Sequence, residues 1–466
     1  MASTLKQALK DLMIKDAPAY ANKFFYSLGF LSAISFVMLI ISGTIMSVMG
    51  QNWWLTSGVG KYLRSVHMWS TQAFVLFILL HMLIVFFTSG FKRPRRLTWV
   101  LGVLMFLFVM IESEFGYVLR GDFSSQWRGL QGADFYNGNG LGYWINALNY
   151  KQIYGIHIVA IPLVIIGLLM LHYLLVRVLG IAKPYRPDVS AKVVPANHLL
   201  LFARGGGLVA MILILAALIP SPYLKSVSIQ GIAKQSPNIV ATTLVKEFDG
   251  SSDTAGYIDN IAPYTFSTRD VYIYAPYAQV QQANQSAAKD QIAIFQHEST
   301  SVQTEQLKSA TTFFDKWDGK TPTRNTNPVI LAVVTLVDMA KAGLYEPALT
   351  AANDAVSAGS STYVLRFLSD SAVLEDKATG ISLTTEQYGM LREEGGHAPG
   401  AWWLAPIGVL NHTVLASDAN GDRDASIIFG SSFLLLLAFP FIPILNQLPD
   451  KLKVYKLIWR EKKQPK

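Results

Sequence analysis

The sequence predicts an all-α integral membrane protein, and three observations carry that prediction. Of the 466 residues, 51% are hydrophobic and only 15% charged, too few charges for a soluble chain of this length. Six apolar runs, at 24–49, 66–90, 97–119, 152–179, 199–220 and 426–446, are long enough to cross a hydrocarbon core of about 30 Å. Two of those runs each carry a pair of histidines, His67 with His81 and His157 with His172.

Taken in order, the first run follows Lys15 and Lys23. It is too long for a signal-peptide core and no small-residue cleavage site follows it, so it reads as a retained helix. The next three runs complete a four-helix block within residues 1–190. The fifth, within 191–220, begins near Pro195 and ends at Pro220. Residues 221–425 hold Asp, Gln, Ser and Thr throughout and no spanning run, which predicts a soluble domain of mixed structure inserted between helices five and six. Within it, apolar residues three and four apart from Ser301 to Ser360 predict helix, and Asp270–Ala275 predicts strand. Trp402, Trp403 and Leu404 predict a patch at the membrane interface. Residues 426–466 supply the sixth helix and a basic tail.

Net charge is +8, but the basic residues flank membrane segments, so topology explains them and nucleic acid does not. Lys92, Arg93, Arg95 and Arg96 follow the second run, Arg177, Lys183, Arg186 and Lys192 follow the fourth, and Lys451, Lys453, Lys456, Arg460, Lys462 and Lys463 follow the sixth. All fall on one side of a six-span chain, together with the N-terminus. The positive-inside rule makes that side cytoplasmic and puts the inserted domain outside. The expected location is the cytoplasmic membrane of a bacterium or archaeon. The chain contains no cysteine, which excludes disulfides, iron–sulfur ligation and thioether-linked haem in this polypeptide.

The histidines predict the chemistry. Fourteen residues separate the first pair and fifteen the second. At about 3.6 residues per turn and 1.5 Å per residue, each pair lies on nearly one helix face with roughly 21 Å between levels. Two such helices side by side offer two facing imidazole pairs, the ligand set of two stacked haems. Ionisable residues at membrane depth are costly and usually functional, and two pairs of near-equal spacing are hard to explain by packing. Glycine gives an independent test, because haem between helices needs close backbone approach. Gly29 and Gly43 on the first run, and Gly102 and Gly116 on the third, are also fourteen apart.

Three stretches carry a family resemblance. Arg64-Ser-Val-His-Met-Trp-Ser resembles the start of the second helix of the cytochrome b family, and Gly90-Phe-Lys-Arg-Pro-Arg-Arg-Leu-Thr-Trp-Val-Leu-Gly-Val resembles its second loop and third helix. Pro195-Ala-Asn-His-Leu-Leu resembles the start of the fifth helix. The fifteen-residue gap is similar to the cytochrome b6 form. The resemblance is specific over residues 20–185, weaker to 220 and absent beyond.

The resemblance implies that His67 and His157 hold an outer, low-potential haem and His81 and His172 an inner, high-potential one, both non-covalent and b-type. It implies that Arg64 pairs with a haem propionate, and that an inner quinone site lies near Asp188 and His198. Where family members often carry an Arg after the second ligand, this chain has Ile84, which leaves Lys92 or Arg93 for the inner propionates. Two departures bear on the outer quinol site. Gly116-Tyr117-Val-Leu is followed by Arg120-Gly121-Asp122 rather than Pro-Trp, and no Pro-Glu-Trp-Tyr motif occurs. The usual outer pocket is therefore altered, filled by another element, or lost.

Two weaker signals complete the survey. Asp418, Asn420, Asp422 and Asp424 alternate like part of a calcium loop, but the Gly is misplaced and the distal Glu missing, so the stretch reads as a solvated Asn-Gly turn. His297, His397 and His412 are scattered and read as surface histidines.

The functional expectation is a dihaem subunit passing electrons between the quinone pool and partner redox proteins. A c-type cytochrome or iron–sulfur subunit acts on the outer side, beside other membrane subunits and lipid. The alternatives are a membrane anchor of a non-Rieske complex with only an inner quinone site, and a scaffold whose inserted domain organises a complex.

Overall fold

A computed structural model describes residues 16–138, 140–182, 193–257, 267–283, 290–322, 324–350, 362–381, 383, 398–418 and 421–458. Asp188 and His397 lie outside these, as do Lys183, Arg186, Lys192, Asn420, Arg460, Lys462 and Lys463. The chain forms two compact units, one of Met1–Glu114, His157–Pro222 and Tyr388–Lys466, the other of Phe115–Ile156 and Tyr223–Gln387.

Five helices among the described residues are long and apolar enough to span a membrane. They are α1 (Leu28–Met49), α2 (Gly58–Phe87), α3 (Arg96–Val118), α4 (Tyr150–Leu179) and α5 (His198–Leu218). Their starts follow ordinary capping chemistry. Ser57 Oγ accepts from Gly60 N at 2.9 Å, Asn149 Oδ1 from Gln152 N at 3.2 Å and Asn197 Oδ1 from Leu200 N at 2.9 Å. Because Ser57 caps it, α2 begins eight residues before the apolar run at 66.

In the first unit, Leu28 and Leu31 of α1, Val66, Ala73 and Phe77 of α2, and Leu208, Ile212 and Ala216 of α5 share one buried cluster. A second cluster joins Phe91, Trp99, Val103 and Phe106 to Phe433 of α6 (Gly421–Ala438) and to Phe439 in the 3-10 turn that follows it. The predicted sixth span does not run straight to residue 446. Ile427–Phe441 and Leu445–Leu452 form a pair bent by 75°. Pro440 and Pro443 account for the break, since neither can donate to the helix ladder. A short antiparallel pairing of Asp16–Pro18 with Val193–Pro195 ties the segments before α1 and before α5.

The chain returning ahead of α6 docks on α2 through Gln72. Its Nε2 donates to the carbonyls of Pro399 (3.0 Å) and Gly400 (3.1 Å), while Trp402 Nε1 donates to its Oε1 at 2.8 Å. Irregular backbone beside an apolar helix needs its polar groups satisfied, and one amide side chain supplies three bonds.

The second unit is helical among its described residues, so the expectation of a mixed domain is corrected. Its central helix Pro328–Lys341 is buried on most of its surface. The segment predicted as a strand is a π-helical turn, Asp270–Tyr274, leading into the α-helix Ala275–Ala283. The reason lies in periodicity. Tyr272, Ile273, Pro276 and Tyr277 are buried while 274, 275 and 278 are not, a helical pattern that a six-residue window of β-prone residues conceals. The stretch 301–360 is helical where described, as Thr300–Phe314, Pro328–Lys341 and Tyr345–Thr350.

Residues 115–156 belong to this unit through specific bonds. Asp122 caps the helix Phe123–Gly138 by accepting from Ser125 N at 3.0 Å and pairs with Arg120 at 2.7 Å. Phe123 N donates to Leu224 O at 2.9 Å. Gln126 exchanges two bonds of 2.8 Å with the backbone of Val227.

Candidate functional site

Helices α2 and α4 bring the four histidines together in two pairs. The His67 and His157 rings have centres 6.4 Å apart with planes at 72°, and those of His81 and His172 are 6.5 Å apart at 76°. Two imidazoles bound through nitrogen to opposite sides of one metal, at about 2.0 Å per bond and about 1.1 Å from nitrogen to ring centre, would lie about 6.2 Å apart.

The unequal spacings have a structural explanation. Residues Ile156–Ala160 of α4 form a π-helical segment that contains His157. A π-turn absorbs one extra residue. Fifteen residues with one such turn therefore advance the helix about as far as fourteen without it, and the two pairs stay level.

Neighbouring helices fix the outer nitrogens. His157 Nδ1 lies 3.2 Å from the Glu112 carbonyl and 3.1 Å from Glu112 Oε1, and His172 Nδ1 lies 3.1 Å from the Thr98 carbonyl. A carbonyl only accepts, so both Nδ1 atoms carry the proton. Ser42 Oγ donates to Met38 O at 2.7 Å, so at 2.9 Å it accepts from His67 Nδ1. In these three rings Nε2 is left with its lone pair, the form that binds a metal. Glu112 Oε2 is buried with no hydrogen-bond partner among the described residues.

The donor set fits haem better than a bare ion. Among the described residues no group of three or more His, Cys, Asp or Glu could hold a metal. Two imidazoles suffice only where a macrocycle supplies the remaining donors. Glycine permits the packing around these rings. A Cβ on Gly43 would sit 3.2 Å from His67 Cε1 and one on Gly29 3.3 Å from His81 Cε1, both tight, whereas one on Gly102 would meet His172 Cε1 at an ordinary 3.8 Å. Gly116 is half-buried near the end of α3.

The other candidates are dispersed. Arg64 Nη2 donates to Ser221 O at 2.8 Å. His198 is the half-buried first residue of α5. Arg204 donates to Ser27 Oγ and, at 3.0 Å, to Asn22 O. Lys92 pairs with Asp450. Trp402 Nε1 donates to Gln72 Oε1 at 2.8 Å, and Trp402, Trp403 and Leu404 are half-buried. Asp422 and Asp424 fall in the first turns of α6, and His412 Nδ1 bonds the Gly408 carbonyl at 2.7 Å. Sequence reasoning missed Ser42, Gln72 and Glu112. Their signal was polarity inside apolar runs.

A second cluster of titratable groups lies in the other unit. Glu247 Oε2 accepts from Ser252 Oγ at 2.7 Å, and Asp370 Oδ1 accepts from Thr254 N at 3.2 Å. Burial, and then the neighbouring Asp370 carboxyl, push the Glu247 carboxyl far up, to about 10; burial likewise raises Asp370.

Fold and site define the class, a transmembrane helix bundle with paired inward imidazoles. The family model of cytochrome b(N-terminal)/b6/petB matches residues 72–230. Cytochrome b6 of Heliobacterium modesticaldum is 29% identical over 197 residues, covering 38% of this chain and 92% of that protein. Cytochrome b6 of Prochlorococcus marinus is 30% identical over 196 residues, 37% of this chain and 89% of its own. A chain of a hyperthermophilic respiratory complex III covers 70% of this chain and 92% of its own at 17% identity, with a TM-score of 0.36, too slight a likeness to argue from. The chain belongs to the cytochrome b/b6 family of transmembrane electron-transport proteins, and membership implies b-type haem.

Proposed function

We propose that this chain is the dihaem cytochrome b subunit of a bc-like complex, carrying electrons across the membrane between the quinone pool and partner redox subunits. The observation that carries the proposal is the pair of imidazole couples, each at the spacing one six-coordinate metal requires. When bound, haem supplies one-electron oxidation and reduction at its iron. His67 and His157 would hold the outer group and His81 and His172 the inner one. Ser42, Glu112 and Thr98 orient three of these rings through Nδ1. Two protein nitrogens for each group would leave no open position for oxygen or substrate, so the residues would serve electron transfer.

Arg64, with one N–H on Ser221, is the propionate partner in this reading. Gly29 and Gly43 give clearance beside His81 and His67, and Gly102 and Gly116 repeat the same spacing on α3 with ordinary room at Gly102. His198 and Asp188 flank the inner quinone site. The chain lacks cysteine, so a c-type cytochrome or iron–sulfur subunit takes the electron on the outer side. The termini are cytoplasmic and the inserted domain, residues 221–425, external, in a bacterial or archaeal cytoplasmic membrane.

A haem extraction assay on the purified chain tests this: two b-type haems per polypeptide are expected, and one after His81→Ala or His172→Ala. Fewer than two in the parent, or two in either variant, rejects the ligand assignment.

One observation favours a second reading, in which quinone chemistry is confined to the inner side. The stretch after α3, which in the family borders the outer pocket, is spent on capping and on bonds to residues 224 and 227. Reduction by quinol that ignores an outer-site inhibitor would support that reading; full inhibition would remove it.

A further inference from the structure

A cavity of about 660 Å³ opens beside the loop joining α2 to α3. Lys92, Arg93, Arg96, Lys451 and Lys453 line it, with Asp450 the single carboxylate among its lining residues. Asp450 is already engaged: it accepts from Ser89 Oγ at 2.8 Å and pairs with Lys92. Among the described residues, four positive side chains therefore line one space with no second acid beside Asp450. Like charges so placed repel, and an anion between them converts the repulsion to attraction. Arginine and lysine together suit phosphate oxygens, Arg by paired N–H groups and Lys as a point charge.

The rim says which phosphate. The cavity lies where α2 has ended at Phe87 and α3 starts at Arg96, the boundary level of two spanning helices. Lys451 and Lys453 follow the 75° bend after α6, and exposed apolar side chains lie nearby in the chain, Phe441 at 53% and Ile444 at 77% before the bent-back helix and Leu452 at 51% between the two lysines. Arg96 ties the two parts together, its guanidinium 5.2 Å over the Phe441 ring. A charged pocket with an apolar lip at the end of a membrane helix matches a molecule that is anionic at one end and hydrocarbon at the other.

We propose that this cavity binds the phosphate headgroup of an anionic phospholipid, with its acyl chains lying along Phe441 and Ile444. Arg93, Arg96 and Lys453 hold the phosphate, and Lys92–Asp450 shapes the wall. The proposal gives Arg93 to a lipid phosphate in place of the inner-propionate role that the resemblance left to Lys92 or Arg93, and it does not bear on the histidine ligands.

Native mass spectrometry of the full chain, delipidated in neutral detergent and then offered phosphatidylglycerol, phosphatidylcholine or inorganic phosphate, tests it. Phosphatidylglycerol should be retained at one molecule per chain, phosphatidylcholine should wash away, and excess inorganic phosphate should not displace the bound lipid. The Arg93→Gln/Lys453→Gln variant should weaken retention about tenfold or more, since each cation near a membrane surface contributes separately to anionic-lipid attraction. If that pair misfolds, the exposed pair Lys451→Gln/Lys453→Gln decides in its place. Equal retention of both lipids, unchanged retention in the variant, or displacement by inorganic phosphate, which would make this a free-anion site, each overturns the proposal.

Discussion

Glu112 is a polar side chain in the apolar α3, and its carboxyl lies 3.1 Å from His157 Nδ1. An acceptor on Nδ1–H makes an imidazole a stronger donor to its metal and favours the oxidised iron. Replacing Glu112 by Gln should therefore raise the midpoint potential of one haem by on the order of 60 mV, the equivalent of a tenfold change for one electron. Spectroelectrochemical titration should show one component moving and the other fixed; two unmoved components would deny Glu112 this part. The glycines make a graded comparison. Gly43→Val places atoms against His67, where even a Cβ is 3.2 Å away, and should halve haem content, while Gly102→Ala, with 3.8 Å available, should keep it. Equal haem in both variants would remove the steric argument. The histidines and glycines were legible because periodicity exposes them. Ser42 and Glu112 were not, because hydrogen bonds to Nδ1 depend on which helices become neighbours.

Among the elements, α4 shows what a residue count alone misses. The sequence shows gaps of fourteen and fifteen, and only the π-helical Ile156–Ala160 explains why both bring the rings to the same levels. Deleting Ile158 should turn this segment into ordinary helix and preserve both haems. Inserting an alanine after Leu168 adds a second surplus residue, about 100° of rotation, and should cost one haem. Haemochrome spectra of the two variants check the pair; loss in the deletion variant would mean that the wide turn is needed for itself. The spanning helices were readable from hydropathy and the break after Phe441 from Pro440 and Pro443. The Asp270–Tyr274 turn was not, because Val, Tyr and Ile prefer strands locally and yield to tertiary burial here.

At the scale of the whole molecule, one of the two units carries a pH-dependent term in its stability. The helical unit of residues 115–156 and 223–387 encloses Glu247 beside Asp370, both with raised pKa. A carboxyl raised on folding keeps its proton in the folded state while the unfolded chain loses its own above the usual carboxylate range. Stability is then fully present at acid pH and declines as pH rises toward about 10. Thermal unfolding of the full chain, followed by proteolysis of peptides from this unit, should show its transition falling between mildly acid and alkaline pH. Glu247→Gln should flatten that slope, and a slope unchanged by the substitution would place the effect elsewhere. A boundary at residue 221 was the natural reading of composition, because hydropathy registers where the chain leaves the apolar phase. It does not register that residues 115–156 join the same unit, which depends on bonds made a hundred residues apart.

That joining has a consequence for anyone trimming the protein to a minimal core. Gln126 grips the backbone of Val227 with both ends of its amide, and Phe123 is held by Leu224. Cutting out 223–387 would not remove an appendage cleanly. It would strand the amide of Gln126 and leave the turn after α3 without its clasp, so a shortened version needs a substitute strap there before it can be expected to assemble.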